Sequence, residues 1–231
     1  MTVAAPAVHS GVSKVAEALS DPAREAMIGA LFGGKAMPAG DLALAAGVSP
    51  QSASAHLQKL VDARLLTVWK QGRFRYYRIA DDDVASLIEN LVDFAARADC
   101  AEHSRRRVPE PLRQSRTCYC HLAGQLGVAL SDALVRRGLI RLRGRDGTLT
   151  DEGVSWSRTE AIDVRLGREP HVRLCNDWTE RVPHLAGPFA NAVLKHLIDT
   201  GSLRPHRLPR ALSLTPRGRT FFARLGARVP F

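Results

Sequence analysis

The sequence predicts a mainly α protein with small β-hairpins (α+β). An N-terminal winged helix-turn-helix is followed by a C-terminal domain of two degenerate winged-helix-like repeats. Three observations carry this prediction. Short, capped helical patterns run through the first 65 residues, and the last of them is rich in hydrogen-bonding side chains. A run of β-branched and aromatic residues follows at once, broken by turn residues. Beyond residue 118 the chain repeats itself at an offset of 63.

In order along the chain, Asp21 is an N-cap and Pro22 occupies the first helical position, where its missing N–H costs nothing. Ala23, Met27, Ala30 and Leu31 recur at helical spacing until Gly33-Gly34. A shorter helix, D-L-A-L-A-A-G-V, closes at Gly47. Ser49 caps the next, Pro50 begins it, and Ala53, Leu57, Leu60 and Val61 form its buried stripe. Gln51, Ser52, Ser54, His56 and Lys59 are left on other faces. They are candidate DNA contacts, since amide, hydroxyl and cationic groups meet base edges and phosphates in the major groove. L-L-T-V-W-K-Q-G-R-F-R-Y-Y-R-I predicts a hairpin turning at Gln71-Gly72, with Lys70, Arg73 and Arg75 at its tip. A basic hairpin can also be a solvated edge guarded against aggregation, but its place after a helix-turn-helix favours phosphate contact. The helix D-D-D-V-A-S-L-I-E-N-L-V-D-F-A carries Val84, Leu87, Ile88, Leu91 and Phe94 as an apolar stripe.

L-S-D-P-A-R, S-A-H-L-Q-K-L and G-R-F-R-Y-Y-R-I, in that order, resemble the ArsR/SmtB family of winged-helix repressors over about residues 10–103. The resemblance implies a homodimer. Each protomer would present a recognition helix (about 50–63) and a wing (about 66–79) to half of a pseudo-palindromic double-stranded operator, and an inducer would release it. It also implies that the stripe from Val84 to Phe94 is the dimerisation face, although that stripe alone is compatible with packing inside one protomer. The chain departs from the metal-sensing members, which often carry Cys-x-Cys on the helix before the recognition helix; here that helix reads G-D-L-A-L-A-A-G. A second family site uses carboxylate and His ligands on the dimerisation helix. Asp99, Cys100, Glu102 and His103 stand at its end, where polar residues are usually solvated.

Composition sets the outer bounds. With 231 residues, 45% of them hydrophobic, the chain can bury a core in two domains. No apolar run approaches the roughly 18 residues of a membrane span, and the first residues lack the pattern of a secretory signal. A cytoplasmic protein with reduced cysteines is expected. The net charge of +10 points to an anionic partner. It is unevenly placed: residues 1–100 carry 10 Lys+Arg against 11 Asp+Glu, and residues 101–231 carry 23 against 12. DNA contact in the first part therefore relies on a local patch. The predicted domains are 1–103 for DNA binding and dimerisation, 104–117 as a basic linker, and 118–231 as a duplicated, effector-sensing region.

In the second half, H-L-A-G-Q-L-G-V-A-L and H-L-A-G-P-F-A-N-A-V open equivalent helices. His121 matches His184, Gly124 matches Gly187 and Gly138 matches Gly201. After a two-residue insertion, Thr150 matches Thr215 and Gly153 matches Gly218. The stripes are Leu122, Leu126, Leu130, Leu134 and Leu185, Phe189, Val193, Leu197. A glycine ends each helix, a hairpin follows, and a threonine caps the next helix. Because His121 recurs as His184 without sulfur beside it, HLAG reads as architecture. Cys118 and Cys120 do not recur, and Cys175 lies in C-N-D-W-T ahead of the second HLAG.

Longer ArsR-type regulators have a similar tail, with a Cys before the first HLAG and C-x-D-W-T before the second. That likeness implies that Cys118 and Cys175 are the pair that matters and that Cys120 is particular to this chain. Pseudo-symmetric packing of the two HLAG segments would gather Cys118, Cys120 and Cys175, with His121 or His184, around one site beside Trp178. No cofactor is specified. Three soft ligands suit zinc, copper(I) or a trivalent metalloid, two thiols near arginine suit a redox switch, and buried cysteine can be an inert small hydrophobe. C-x-C-H is not a common zinc-knuckle spacing. An effector-released, autoregulated repressor is the leading expectation, and an architectural DNA binder without an effector is a rival. No enzyme is expected: a thiol enzyme using Cys118 or Cys120 would need a positioned base, and the adjacent His121 tends to point away.

Overall fold

Capping chemistry sets the helices of the N-terminal unit. In the computed structural model, which describes residues 9–98, 108–163 and 171–231, α1 (His9–Leu19) leads into α2 (Pro22–Leu31). The Asp21 carboxylate accepts from the backbone N–H groups of Ala23 at 3.0 Å and Arg24 at 3.1 Å. β1 (Met37–Pro38) and α3 (Ala39–Ala46) follow, and α3 stops at Gly47 with φ 65°. α4 (Pro50–Asp62) starts from Ser49, whose Oγ accepts from the Ser52 N–H at 3.2 Å. Met27, Ile28 and Leu31, Leu42 and Ala43, and Ala53, Leu57 and Leu60 meet in the core of this unit. The α2 stripe is turned relative to expectation: Ala23 and Ala30 are half-buried, while Ile28 and Arg24 lie inside. Arg24 tolerates burial because its guanidinium donates to the carbonyl oxygens of Ala18 (2.6 Å) and Glu17 (2.8 Å) in the last turn of α1.

β2 (Leu66–Gln71) and β3 (Phe74–Ile79) form the wing, and β1 adds a short third strand in the order β1-β3-β2. Gln71 pairs with Phe74, so the turn is Gly72-Arg73, one residue later than the sequence suggested. Gly72 takes φ 60°, the left-handed conformation that a two-residue hairpin requires and glycine supplies without steric cost.

The chain divides into the units Met1–Ala85 and Ser86–Phe231, so the boundary falls inside α5 (Asp82–Ala98) rather than near residue 103. Asp99, Cys100, Glu102 and His103 lie outside the described residues, as do residues 104–107 of the expected linker. The end of that stretch is not a linker. α6 (Glu110–Gln114) and β4 (Arg116–Thr117) belong to the second unit. Arg116, which composition counted as a solvated charge, is 1% exposed because Asp177 pairs with it at 2.9 Å. Among the described residues, no helix is long and apolar enough to cross a membrane.

The duplication is visible in the second unit. After β5 (Leu122–Ala123), the first copy runs α7 (Gly124–Arg136), β6 (Ile140–Arg143), β7 (Asp146–Leu149) and α8 (Asp151–Thr159). A hairpin of β8 (His171–Asn176) and β9 (Pro183–Ala186) leads to the second copy, α9 (Gly187–Asp199), β10 (Leu203–Pro205), β11 (Leu212–Leu214) and α10 (Pro216–Leu225). The leucine stripe of α7 and the Leu185–Leu197 stripe share one buried cluster. Gly138 and Gly201 have φ 69° and 70°. Thr150 and Thr215 accept from the N–H groups of Gly153 and Gly218, each at 3.1 Å. The copies differ in their sheets: β6 and β7 join β8 and β9 in a four-stranded sheet, whereas β10 and β11 pair alone.

Gly153 and Gly218 explain a further identity between the copies. A Cβ on Gly153 would stand 2.0 Å from the Leu139 carbonyl oxygen, and one on Gly218 would stand 2.2 Å from that of Ser202. Each helix start rests on the residue after the glycine that ends the preceding helix. Alanine at either position should therefore destabilise the protein by about 1–3 kcal/mol, the usual range for overpacking. Gly29→Ala, where nothing lies within 4 Å of the added carbon, should not. Denaturant midpoints of the three variants test this.

Candidate functional site

The N-terminal unit presents a polar face beside a basic hairpin. Gln51, Ser52, Ser54 and Lys59 are exposed on α4, and Lys70, Arg73 and Arg75 are exposed on the wing. Lys59 lies 3.5 Å from Glu17 in a solvent-exposed pair, a weak interaction that a phosphate can replace. His56 is placed differently from its neighbours. It is half-buried, with its Nδ1 3.2 Å from the Arg24 guanidinium and 3.6 Å from Asp21, so it also ties α4 to α2. Trp69 and Tyr76 stack across the wing at 5.9 Å, stiffening the hairpin that carries the cations.

A second constellation is buried in the C-terminal unit and built by two hairpins. Thr117 pairs with Leu122, and the Cys118 N–H donates to the His121 carbonyl at 3.0 Å, so Tyr119-Cys120 form the tip of a tight turn with Cys118 and His121 flanking it. Across β8 and β9, Cys175 and His184 are direct register partners. One ligand-capable atom from each of these four residues lies within 4.8 Å of all the others. The two Sγ atoms are 3.8 Å apart and the two Nε2 atoms 3.1 Å apart. All four side chains are buried. Cys120, expected in the same cluster, stands outside it, half-buried at the turn tip. Trp178 faces Arg116, whose guanidinium sits 4.8 Å over its ring. HLAG is thus more than architecture, because both of its histidines enter the cluster.

Charged groups surround the four. The Asp177 carboxylate, with no side-chain exposure, pairs with Arg116 and lies 3.1 Å from Nδ1 of His184. It also accepts from the N–H groups of Gly124 (2.7 Å), Thr179 (3.0 Å) and Glu180 (3.2 Å), and from the Thr179 hydroxyl (2.7 Å). Gly124 has φ 76°, and an added Cβ would meet the Arg113 carbonyl at 2.6 Å, so this donor needs glycine. Burial opposes ionisation of Asp177, but the His184 hydrogen bond and the Arg116 charge prevail and hold its pKa far below the ordinary range. Burial likewise opposes charge on His184, yet Asp177 and Cys175 push its pKa up to about 9. Burial drives the Cys118 thiol well above its usual value, whereas hydrogen bonds from Cys118, His121 and His184 favour the Cys175 thiolate. Glu89, in α5, hydrogen-bonds to Cys118, lies 3.6 Å from the Cys175 sulfur and pairs with Arg210 at 3.1 Å. Burial, then the charge of Cys175, raises its pKa.

Sequence reasoning missed Glu89, Arg116, Asp177 and Arg210. Two signals were available: Asp177 lies inside C-N-D-W-T, and Glu89 shares a helical face with buried Ala85, a position where a carboxylate needs a partner.

A helix-turn-helix domain family matches residues 19–68. Over 218 residues the chain is 36% identical to the uncharacterized HTH-type transcriptional regulator YdfF of Bacillus subtilis, covering 93% of this chain and 96% of that one. The transcriptional repressor SdpR of Bacillus subtilis is 32% identical over 88 residues, which cover 38% of this chain and 97% of SdpR. Among solved structures, the homodimeric winged helix-turn-helix domain of Mb0332 from Mycobacterium bovis, a possible ArsR-family regulator, is 30% identical. It covers 45% of this chain and 96% of that chain, with a TM-score of 0.38.

Proposed function

The chain belongs to the HTH-type transcriptional regulators, and from that premise we propose a homodimeric, autoregulated repressor that an effector releases by acting on the C-terminal unit. The exposed polar face of α4 beside the basic wing carries the DNA-binding part of this reading. A helix of this kind reads base edges in the major groove while a cationic hairpin holds the adjacent backbone. The dimer rests on α5, where Leu87, Leu91 and Phe94 remain 43%, 43% and 64% exposed in the single chain. A contiguous apolar stripe of that kind calls for cover, and a twofold axis would set two recognition helices on a pseudo-palindrome. Repression is supported by the relative named as a repressor. The effector reading rests on Cys118 and Cys175, two buried thiols in contact with a residue of α5, the helix that begins in the N-terminal unit.

Fluorescence anisotropy on the DNA upstream of the protein's own gene tests this. Reduced, chelated protein should bind tightly and sequence-specifically, with affinity falling steeply as salt rises. Because the two sulfurs at 3.8 Å need only a small shift to form a disulfide, a mildly oxidised sample is the second arm. Binding without sequence preference would replace the repressor reading with an architectural one.

A further inference from the structure

We propose that Cys118, His121, Cys175 and His184 form a tetrahedral site for one zinc ion, and that zinc is the effector. The proposal rests on the reading that the C-terminal unit receives a signal, and it names the chemistry of that signal.

The donor set matches the ion. Zinc–sulfur and zinc–nitrogen bonds of about 2.3 and 2.0–2.1 Å in a tetrahedron separate two sulfurs by about 3.8 Å and two nitrogens by about 3.3 Å. The sulfurs here are 3.8 Å apart and the nitrogens 3.1 Å apart. Both chelating pairs are held by backbone pairing, one at a tight turn and one across two strands, so little ordering remains for an ion to impose. Asp177 sits 3.1 Å from Nδ1 of His184, on the far side of the ring from the cluster. A carboxylate beside Nδ1, with Nε2 turned toward the other ligand atoms, is the outer-shell arrangement typical of zinc histidines. Two thiolates and two neutral imidazoles balance a divalent charge, so the buried centre is neutral when filled, and the displaced thiol protons pass to solvent. Because Cys120 stays outside, only two sulfurs converge. Two thiolates with two imidazoles select zinc, whereas the all-sulfur sets that suit softer ions would need a third.

The site also carries a route for regulation. Glu89 of α5 accepts from Cys118, lies 3.6 Å from the Cys175 sulfur and pairs with Arg210. Two thiolates bound to zinc donate to neither carboxylate oxygen, so loading the site leaves Glu89 with the Arg210 pair and alters the hold on α5.

The test uses the reduced, full-length chain stripped with chelator, with cobalt(II) as a spectroscopic probe for zinc. Expected are one cobalt per chain, the intense visible bands of a tetrahedral centre, thiolate charge-transfer absorption, and displacement by zinc. Cys120→Ser should leave all of this unchanged. Cys175→Ser should lose about half of the charge-transfer intensity, and His121→Ala should weaken binding at least about tenfold while keeping that intensity. A weak octahedral cobalt spectrum in the unsubstituted chain, or a requirement for Cys120, would overturn the site. Operator affinity measured on the same samples separates the two ideas. A fall of tenfold or more on loading upholds both, and unchanged affinity with cobalt bound upholds the site while overturning zinc as the effector.

Discussion

Asp177→Ala should destabilise the C-terminal unit by about 3–5 kcal/mol, the cost of leaving one partner of a buried ion pair alone. Asp177 has no side-chain exposure, and its carboxylate accepts from Arg116, three backbone N–H groups and the Thr179 hydroxyl. Its removal strands a guanidinium that is 1% exposed and leaves the buried Gly124 N–H without its acceptor. It also removes the carboxylate beside His184. The loss is read from urea unfolding followed by circular dichroism. Arg116→Met in the same chain should recover part of it, because the uncompensated charge dominates the cost. A loss below about 1 kcal/mol would show that the pair is not the anchor of this unit, since even a median surface pair contributes that little.

Substituting Arg73 and Arg75 together with alanine should weaken operator binding without touching stability. Both side chains are exposed, and each neutralised phosphate contributes nearly one unit to the slope of log affinity against log salt. The slope should become shallower by about 2 per protomer, and the loss should be similar on specific and random DNA. Gln51→Ala should behave differently. An amide that reads a base edge discriminates by about 1–3 kcal/mol at a single base pair, so this variant should relax specificity and leave the salt slope unchanged. If the salt slope is unmoved by the wing substitutions, the wing does not lie along the DNA backbone.

The parts of the molecule that were legible in advance share a short physical range. Asp21, Ser49, Thr150 and Thr215 cap helices two or three residues away, and Gly47, Gly138 and Gly201 end them by a φ that other residues rarely adopt. The repeat was visible because the same local problems recur at the same spacing. The surroundings of His56 are the opposite case. Its contact with Arg24, 32 residues earlier, is not written in the pattern of its own helix.

By itself, the sequence determined the capped helices, the wing, the duplicated C-terminal unit and the likeness to a family of DNA-binding repressors, because each depends on neighbours within a turn or a hairpin or on direct identity. The tertiary structure alone decided which charges are buried and which thiols meet. Arg116 finds Asp177 across 61 residues, Cys118 finds Cys175 across 57, and Glu89 reaches Cys118 across 29. A charge or thiol is solvated or buried according to the partner that folding brings to it, and no local pattern encodes that partner. For the same reason Cys120, two residues from Cys118, lies outside the cluster that Cys175 joins from far along the chain.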